Sequence, residues 1–525
     1  MPKQTRNTIY FFQLILAALI AVGILPRYYS FFIALAAGIY IYFADKTDAL
    51  WFLIASIPLY IALPFSKSFD TSAYWRILFI EYFIILALKN KEKIVKKAKE
   101  IKKDLIARNF TKIFKEYKIE ILMTVLFLLS IFSLVGAENK ALGIKRIAYF
   151  GNFFIFYLIL VYGINSLSEL KNALRGLAAS AGIFVFVGFL QLFSMYFTSY
   201  QNFWSFWAGK VIPVFYGQKL AEFVSFNNAW FAFSLSGQVS LRMFSLFSDA
   251  ASIAFAMAMI CFTVIPLSFY FFSEGDLFKK KFFTVISLAL VILGIILSGS
   301  RGAWVSIIFA AGFALFVAVL KKTTAQDRAI YVKNIILMCV LFLLLFPMSP
   351  LLLGAKDIST TSLGRIRTIQ DESDVSNKNR IEVWKTSLKT LKEHPFFGVG
   401  VANFSAEPEK FGENFKTASH NMYLYIACEM GIPALLVVLV LIFYLFKDLI
   451  AEFHTAEDKF LKMFYLSLGA AAAWVFGLSL SIDCLLNVDK MTLIFLSFIG
   501  IFYASKRIVG RTSDFAGIVG GNVVQ

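Results

Sequence analysis

The stretch from Asn379 to Pro433 lies between two strongly apolar runs and holds two of the chain's three histidines, His394 and His420. His420, within Ser419-His420-Asn421, stands a few residues before the apolar run that follows. An imidazole titrates near neutral pH, so at a membrane edge His420 suits acid–base work. Two arginines occupy comparable positions. Arg242 opens the run SLRMFSLFSDAASIAF, and Arg301 sits in LSGSRGAWVS, a short Gly/Ser break between two runs. Ionisable residues at such places are costly and mark functional sites by default. Two guanidinium groups suit a phosphate or diphosphate, because the planar fork binds its oxygens bidentately. A lone arginine at a membrane edge more often only snorkels. The glycines and serines around Arg301 instead let backbones approach and hold the side chain in a cleft.

Other groups add to this set. Glu429 lies about two turns into the run after His420, where an unpaired carboxylate is expensive and calls for a partner. Asp249 and Asp483 lie near the same edge and could orient a base or an arginine. His394, before a proline and a Gly-containing turn, reads as structural, and His454 as inert. HExxH, the P-loop and the Rossmann glycine fingerprint are missing. So is any Asp-x-Asp pair for a metal-bound sugar nucleotide. The expectation is chemistry without metal or cofactor, on a donor activated beforehand.

The elements that must position these residues are membrane helices. Of 525 residues, 59% are hydrophobic and 16% charged, against about 45–50% and about 25% in soluble proteins. Runs near the ~20 residues that cross a bilayer recur from 9–25 to 489–505. The fold class is all-α: a polytopic bundle over 1–505 with about 14 transmembrane helices, one or two of the early ones short enough to pair as re-entrant segments. Barrel-type alternation is absent. The basic first residues lead into a run too long for a signal peptide, so an uncleaved first span is expected. The net charge of +18 follows the positive-inside rule and implies no nucleic acid. It puts Lys3, Arg6, the segment 89–118, Lys279–Lys281, Lys321, Lys322, Arg328 and the tail 506–525 in the cytoplasm, with 512–525 expected to be disordered.

Residues 89–118 read as one basic amphipathic helix on anionic membrane lipids, or else as a docking surface. Two long loops fall outside, the aromatic 199–246 and the polar 354–421. The aromatics serve equally as an interfacial belt or as a platform for sugar rings or a lipid carrier. The four cysteines form no CxxC and read as buried small hydrophobes.

The pattern Asn379-Arg380…Trp384…His394-Pro395-Phe396-Phe397-Gly398-Val399-Gly400-Val401-Ala402-Asn403-Phe404, then Ser419-His420-Asn421…Glu429-Met430-Gly431-Ile432-Pro433, resembles the O-antigen ligase and O-antigen polymerase superfamily. Ser300-Arg301-Gly302-Ala303 matches that family's outer-face arginine motif, and Arg242 its other arginine. The chain has Phe247-Ser248-Asp249-Ala250 where the family often carries a Pro-Asn pair. The resemblance spans about 240–445 and implies an integral-membrane (GT-C-like) glycosyltransferase, inverting and metal-independent. Its donor would be a glycan on undecaprenyl diphosphate, used at the periplasmic face of the bacterial inner membrane. The acceptor would be lipid A–core for a ligase, a glycan repeat unit for a polymerase, or a protein for an O-oligosaccharyltransferase. By this resemblance Arg242 and Arg301 hold the diphosphate and His420 is the base. Arg380 and Trp384 belong to a loop helix over the site, and Asn421, Glu429 and Asp249 are further substrate-binding candidates. A transporter or flippase is the reading of a different class.

Overall fold

The computed structural model describes residues 3–520, apart from 67–68, 219, 223–229, 234–238, 272–276, 321–323, 353–360, 367–374 and 407–418. Each of the fourteen apolar runs carries a helix. In chain order these are α1 (Lys3–Ala21), α2 (Ser30–Phe43), α3 (Lys46–Ala55) and α4 (Trp75–Lys89), then the polar α5 (Lys91–Ile106). Next come α6 (Phe110–Phe132), α7 (Lys140–Gly163), α8 (Leu167–Ser194), α9 (Ala250–Phe271), α10 (Leu277–Leu297), α11 (Arg301–Val319) and α12 (Ala325–Leu345). The polar α13 (Val375–Glu393) precedes α14 (Met422–Thr455), α15 (Lys459–Leu478) and α16 (Asp489–Gly520). Seven helices among the described residues are long and apolar enough to cross a bilayer, the longest being α14. The only named strands among the described residues, β1 (Phe231–Phe233) and β2 (Val239–Leu241), form one antiparallel pair. The protein is a helical polytopic membrane protein.

Helix α3 has ten residues, about 15 Å at 1.5 Å per residue and half the hydrocarbon thickness. The chain finishes the passage as a 3₁₀ turn at Ile57–Leu59 and an extended segment. Irregular backbone at this depth survives only inside protein, with its polar groups paired. Residues 49–63 are all buried. Ala62 N–H donates to Val214 O at 3.0 Å, Leu63 N–H to Ser72 O at 2.9 Å, and Tyr74 N–H to Ile61 O at 3.1 Å.

Ion pairs sort the two ends of the bundle. At one end Arg6 pairs with Asp48, Lys46 with Glu169, and Lys118 and Lys506 with Asp448. At the other end Arg27 pairs with Asp70 and Arg76 with Asp489. The lysine-rich α5 belongs to the first end. Residues 89–118 are not a single helix, as expected, but α5 and the start of α6. Arg108 turns the chain between them in the left-handed region (φ 54°). Lys97–Glu116 (2.7 Å) and Lys112–Asp104 (2.8 Å) hold the two together.

The aromatic loop forms part of the core. A short helix (Tyr200–Phe206) and a π turn (Trp207–Val211) bring Phe203 and Trp207 together, stacked at 5.5 Å. Trp230 stacks on Phe244 at 4.7 Å, and all four are buried. Among the described residues of the loop, the exposed large aromatics left as belt or platform candidates are Tyr200, Trp204 and Phe206. Of the cysteines, Cys261 and Cys428 are buried as expected, whereas Cys339 faces out of the bundle from α12.

The Gly-rich motif has a backbone explanation. Pro433 lies inside α14 and Gly431 leaves helical geometry at φ +83°. A proline has no N–H to close the ladder, so carbonyls in this turn need donors from elsewhere. Val399 N–H donates to Cys428 O (2.8 Å) and Gly400 N–H to Glu429 O (3.1 Å), while Ile432 N–H donates to Pro395 O (2.8 Å). The loop 395–400 thus docks as backbone onto a broken helix. A Cβ on Gly431 would lie 2.1 Å from Phe396 O, and one on Gly398 would lie 2.4 Å from Cys428 O. Gly431→Ala therefore meets left-handed strain and a backbone clash together, a loss of roughly 2–5 kcal/mol. The expected result is a markedly lower unfolding temperature or no folded protein. Gly312→Ala, with nothing within 4 Å of its Cβ, should leave unfolding unchanged.

Candidate active site

At the end of the bundle opposite α5, a cavity of about 700 Å³ opens among α4, α7, α9, α11, α13, α14 and α16. Arg242, Arg301 and His420 all line it, as do Arg380, Asp249, Glu429 and Asp483. Trp384 and Asn421 do not.

Three helices begin at this cavity, and their first residues set the site. Asp249 caps α9: its Oδ1 accepts from Ala251 N–H (2.9 Å) and Ser252 N–H (2.8 Å), and its Oδ2 from Ser252 Oγ (2.7 Å). Asn421 caps α14, accepting from Tyr423 N–H (3.0 Å) and Leu424 N–H (3.1 Å) and donating to Leu480 O (3.0 Å). Asn421 was expected to touch substrate, but its amide is committed to this cap. The third helix, α11, starts at Arg301, and the side chain of its N-cap residue Ser300 makes no cap hydrogen bond. A helix N-terminus carries partial positive charge and favours anions. Here it is led by a guanidinium.

His420 is held by its neighbours. Ser419 Oγ donates to Asn421 O (2.7 Å), closing a tight turn in which His420 takes φ +50°. That conformation costs a residue with a Cβ roughly 1–2 kcal/mol. It turns the chain just ahead of the Asn421 cap, with His420 on the cavity wall. Burial first, then the charge of Arg380, pushes the imidazole down to about 4, with Asp249 pulling the other way. At neutral pH it is an uncharged base. Asp483 is pushed up to about 6, chiefly by burial, and the His420 backbone N–H is among the groups that favour its charge.

The arginines are fixed through backbone carbonyls. Arg242 Nε donates to Ser298 O (2.9 Å) and Arg365 Nε to Gly299 O (3.1 Å), so the two guanidinium groups flank Gly299. Its φ of +62° makes this turn, and a Cβ there would approach both, at 3.3 Å and 3.5 Å. Burial, then Arg365, and further Arg301 and Arg380, lower the pKa of Arg242, while Asp249 opposes them. An arginine stays protonated in proteins regardless, so the direction reports burial first and neighbouring positive charge second. Arg380 reaches the cavity from α13, whose buried face of Val383, Thr386, Ser387 and Thr390 packs toward α14. Cys428 Sγ donates to Ser387 O (3.2 Å) beneath it. Trp384 follows Val383 and lies off the cavity wall.

Several lining cations escaped the sequence reading: Arg365, Arg76, Lys145, Arg146 and Lys490. Arg365 sits in a polar stretch with no apolar run beside it. The others carried a usable signal, because basic residues at the outward edge of a span run against the positive-inside rule. His394 ends α13, its N–H donating to Thr390 O (2.9 Å), and lies off the cavity. His454 is near the far end of α14, beside Phe453. Among the described residues no group of three or more His, Cys, Asp or Glu side chains is placed to hold a metal ion.

An uncharacterized protein of Haemophilus influenzae is 25% identical over 218 residues, covering 39% of this chain and 52% of the relative. The chain thus spans about half the length of that relative. Residues 286–439, which contain Arg301, Arg365, Arg380 and Glu429, match the family described as O-antigen ligase. Over residues 286–439 the chain is thus similar to the O-antigen ligase family, and that segment supplies part of the wall of this cavity.

Proposed function

We propose that the protein is an O-antigen ligase-like glycosyltransferase of the bacterial inner membrane. It would move a glycan from undecaprenyl diphosphate to an acceptor hydroxyl, such as that of lipid A–core, at the periplasmic face. The observation that carries this reading is the gathering of Arg242, Arg301, Arg365 and Arg380 with a neutral His420 on one cavity. The diphosphate sits against the arginines and the N-terminus of α11. His420 takes the proton of the acceptor hydroxyl, the oxygen bonds to the anomeric carbon, and the bond from that carbon to the diphosphate breaks. The diphosphate leaves on its lipid, its charge met by the guanidinium groups. Attack opposite the leaving group inverts the anomeric centre. The lysine-rich end of the bundle supports a cytoplasmic placement of α5 and hence a periplasmic cavity.

The test is transfer in proteoliposomes containing purified protein, lipid-linked glycan and one acceptor at a time. Transfer to lipid A–core, undiminished by a chelator, is the expected result. Extension of the lipid-linked chain would mark a repeat-unit polymerase, and product on a protein acceptor an O-oligosaccharyltransferase. Movement of lipid-linked glycan across the bilayer without transfer would replace the enzyme with a flippase.

A further inference from the structure

A second group of cations lies on the wall of the same cavity formed by α4, α7 and α16. Arg76 pairs with Asp489, and its guanidinium carbon lies 3.8 Å from the centre of the Tyr149 ring. Only 5% of Arg76 is exposed, and its Nε and Nη1 have no hydrogen-bond partner among the described residues. Lys145 Nζ donates to Thr71 Oγ1 (2.8 Å) and lies 5.9 Å from the same ring. Arg146 donates to Asn487 Oδ1 (2.7 Å). Lys490, also buried, holds Pro58 O and Leu246 O (3.1 and 3.2 Å) and lies over the Phe215 ring at 4.0 Å.

The two sets come from different helices, and this one is interleaved with aromatic rings. Asp489 pairs with Arg76, and Glu429 and Asp483 interact electrostatically with Arg146. Over the whole cavity wall eight Lys and Arg still face four Asp and Glu, a surplus of positive charge. Partly desolvated cations that outnumber their carboxylates are stabilised by a bound anion. Rings beside cations suit a sugar that carries an oxyanion: the ring face stacks while the charge pairs.

We infer that Arg76, Lys145 and Arg146, around Tyr149, form a second subsite that takes an anionic sugar of the acceptor, a uronate carboxylate or a sugar phosphate, apart from the diphosphate site. This rests on the proposed transferase reading for the word acceptor, and on the cavity alone for the site. It makes the subsite a specificity determinant: neutral acceptors lose the pairing and charged ones gain it.

Binding to the full-length protein in nanodiscs tests this, read by tryptophan fluorescence, since Trp75 lies 4.5 Å from the Arg76 guanidinium. The probes are a glucuronic-acid disaccharide, its neutral methyl ester, glucose 6-phosphate and inorganic pyrophosphate. At least one charged sugar should bind about ten- to a hundredfold tighter than the ester, as expected for hydrogen bonds to charged groups. Whichever charged sugar prevails identifies the oxyanion. Lys145→Gln and Arg146→Gln should remove most of that preference and leave pyrophosphate within twofold. Lys145→Arg should keep the preference, which separates lost charge from lost fold. Arg301→Gln should weaken pyrophosphate and spare the charged sugar. Equal binding of ester and charged sugars overturns the subsite. So does a parallel loss of pyrophosphate in the Lys145 and Arg146 variants. If pyrophosphate ignores Arg301→Gln while the charged-sugar preference persists, the donor reading fails and the subsite stands.

Discussion

Arg301→Ala should lower the turnover of lipid-linked glycan by about 10²–10³-fold, the range for removing one preorganised group that stabilises leaving charge. Arg301 opens α11, whose N-terminus faces the cavity without a side-chain cap from Ser300. The helix itself is anchored elsewhere. Trp474 Nε1 donates to Ala303 O at 2.8 Å, and Gly302 packs so closely on the next segment that a Cβ would meet Ser481 Oγ at 2.6 Å. Shortening the Arg301 side chain leaves both anchors in place, so the unfolding temperature should move little. Arg301→Lys keeps the charge and loses the planar fork. Its activity should fall between the two, by roughly tenfold. Full activity in the alanine variant would remove the charge-stabilising role. Loss of both the activity and the folded protein would make Arg301 structural. Turnover in proteoliposomes and unfolding monitored on the same preparation separate these outcomes.

What the sequence made legible follows from where the apolar runs lie. Arg242, Arg301 and His420 could be picked out because each stands beside a run, where charge or titration needs a reason. Their meeting on one cavity could not be read, because it depends on three helices starting at the same level. Arg365 lay in a polar stretch where one more arginine carries no cost, so nothing singled it out. Arg76, Lys145 and Arg146 were visible as cations at an outward edge, yet reading them needed the topology to be used against itself. The motif glycines show a different limit. Gly398 and Gly431 were readable as a pattern, but their task is to let a loop replace the hydrogen bonds that Pro433 removes from α14. That pairing joins residues about thirty positions apart, which local periodicity does not encode. Asn421 was expected only as a substrate-binding candidate, and its N-cap role was missed. The cap was the stronger local rule, since an Asn just before an apolar helix supplies the acceptor its first N–H groups lack.

His420→Ala should cost about 10²–10⁴ in turnover, the usual worth of a positioned proton acceptor. Its pH dependence separates that role from a structural one. A base must be uncharged to act, so activity is lost as pH falls through its pKa. Burial and Arg380 hold the free imidazole down to about 4, against Asp249. The acid limb of kcat/KM, which reports the free enzyme, should therefore lie well below the ordinary histidine value of about 6.5. A bound diphosphate adds negative charge beside the arginines and relieves the repulsion that lowers the pKa. The limb of kcat, which reports the complex, should then lie at higher pH than that of kcat/KM. Asp483, pushed up to about 6 and close to the His420 backbone, could produce a limb of its own. Asp483→Asn removes that one and leaves the limb of His420. If the profile of Asp483→Asn still broke near 6.5 in kcat/KM, the imidazole would be too solvated for the site described. If His420→Ala kept the parent's acid limb and lost only amplitude, another group would be the base and His420 a wall of the cavity.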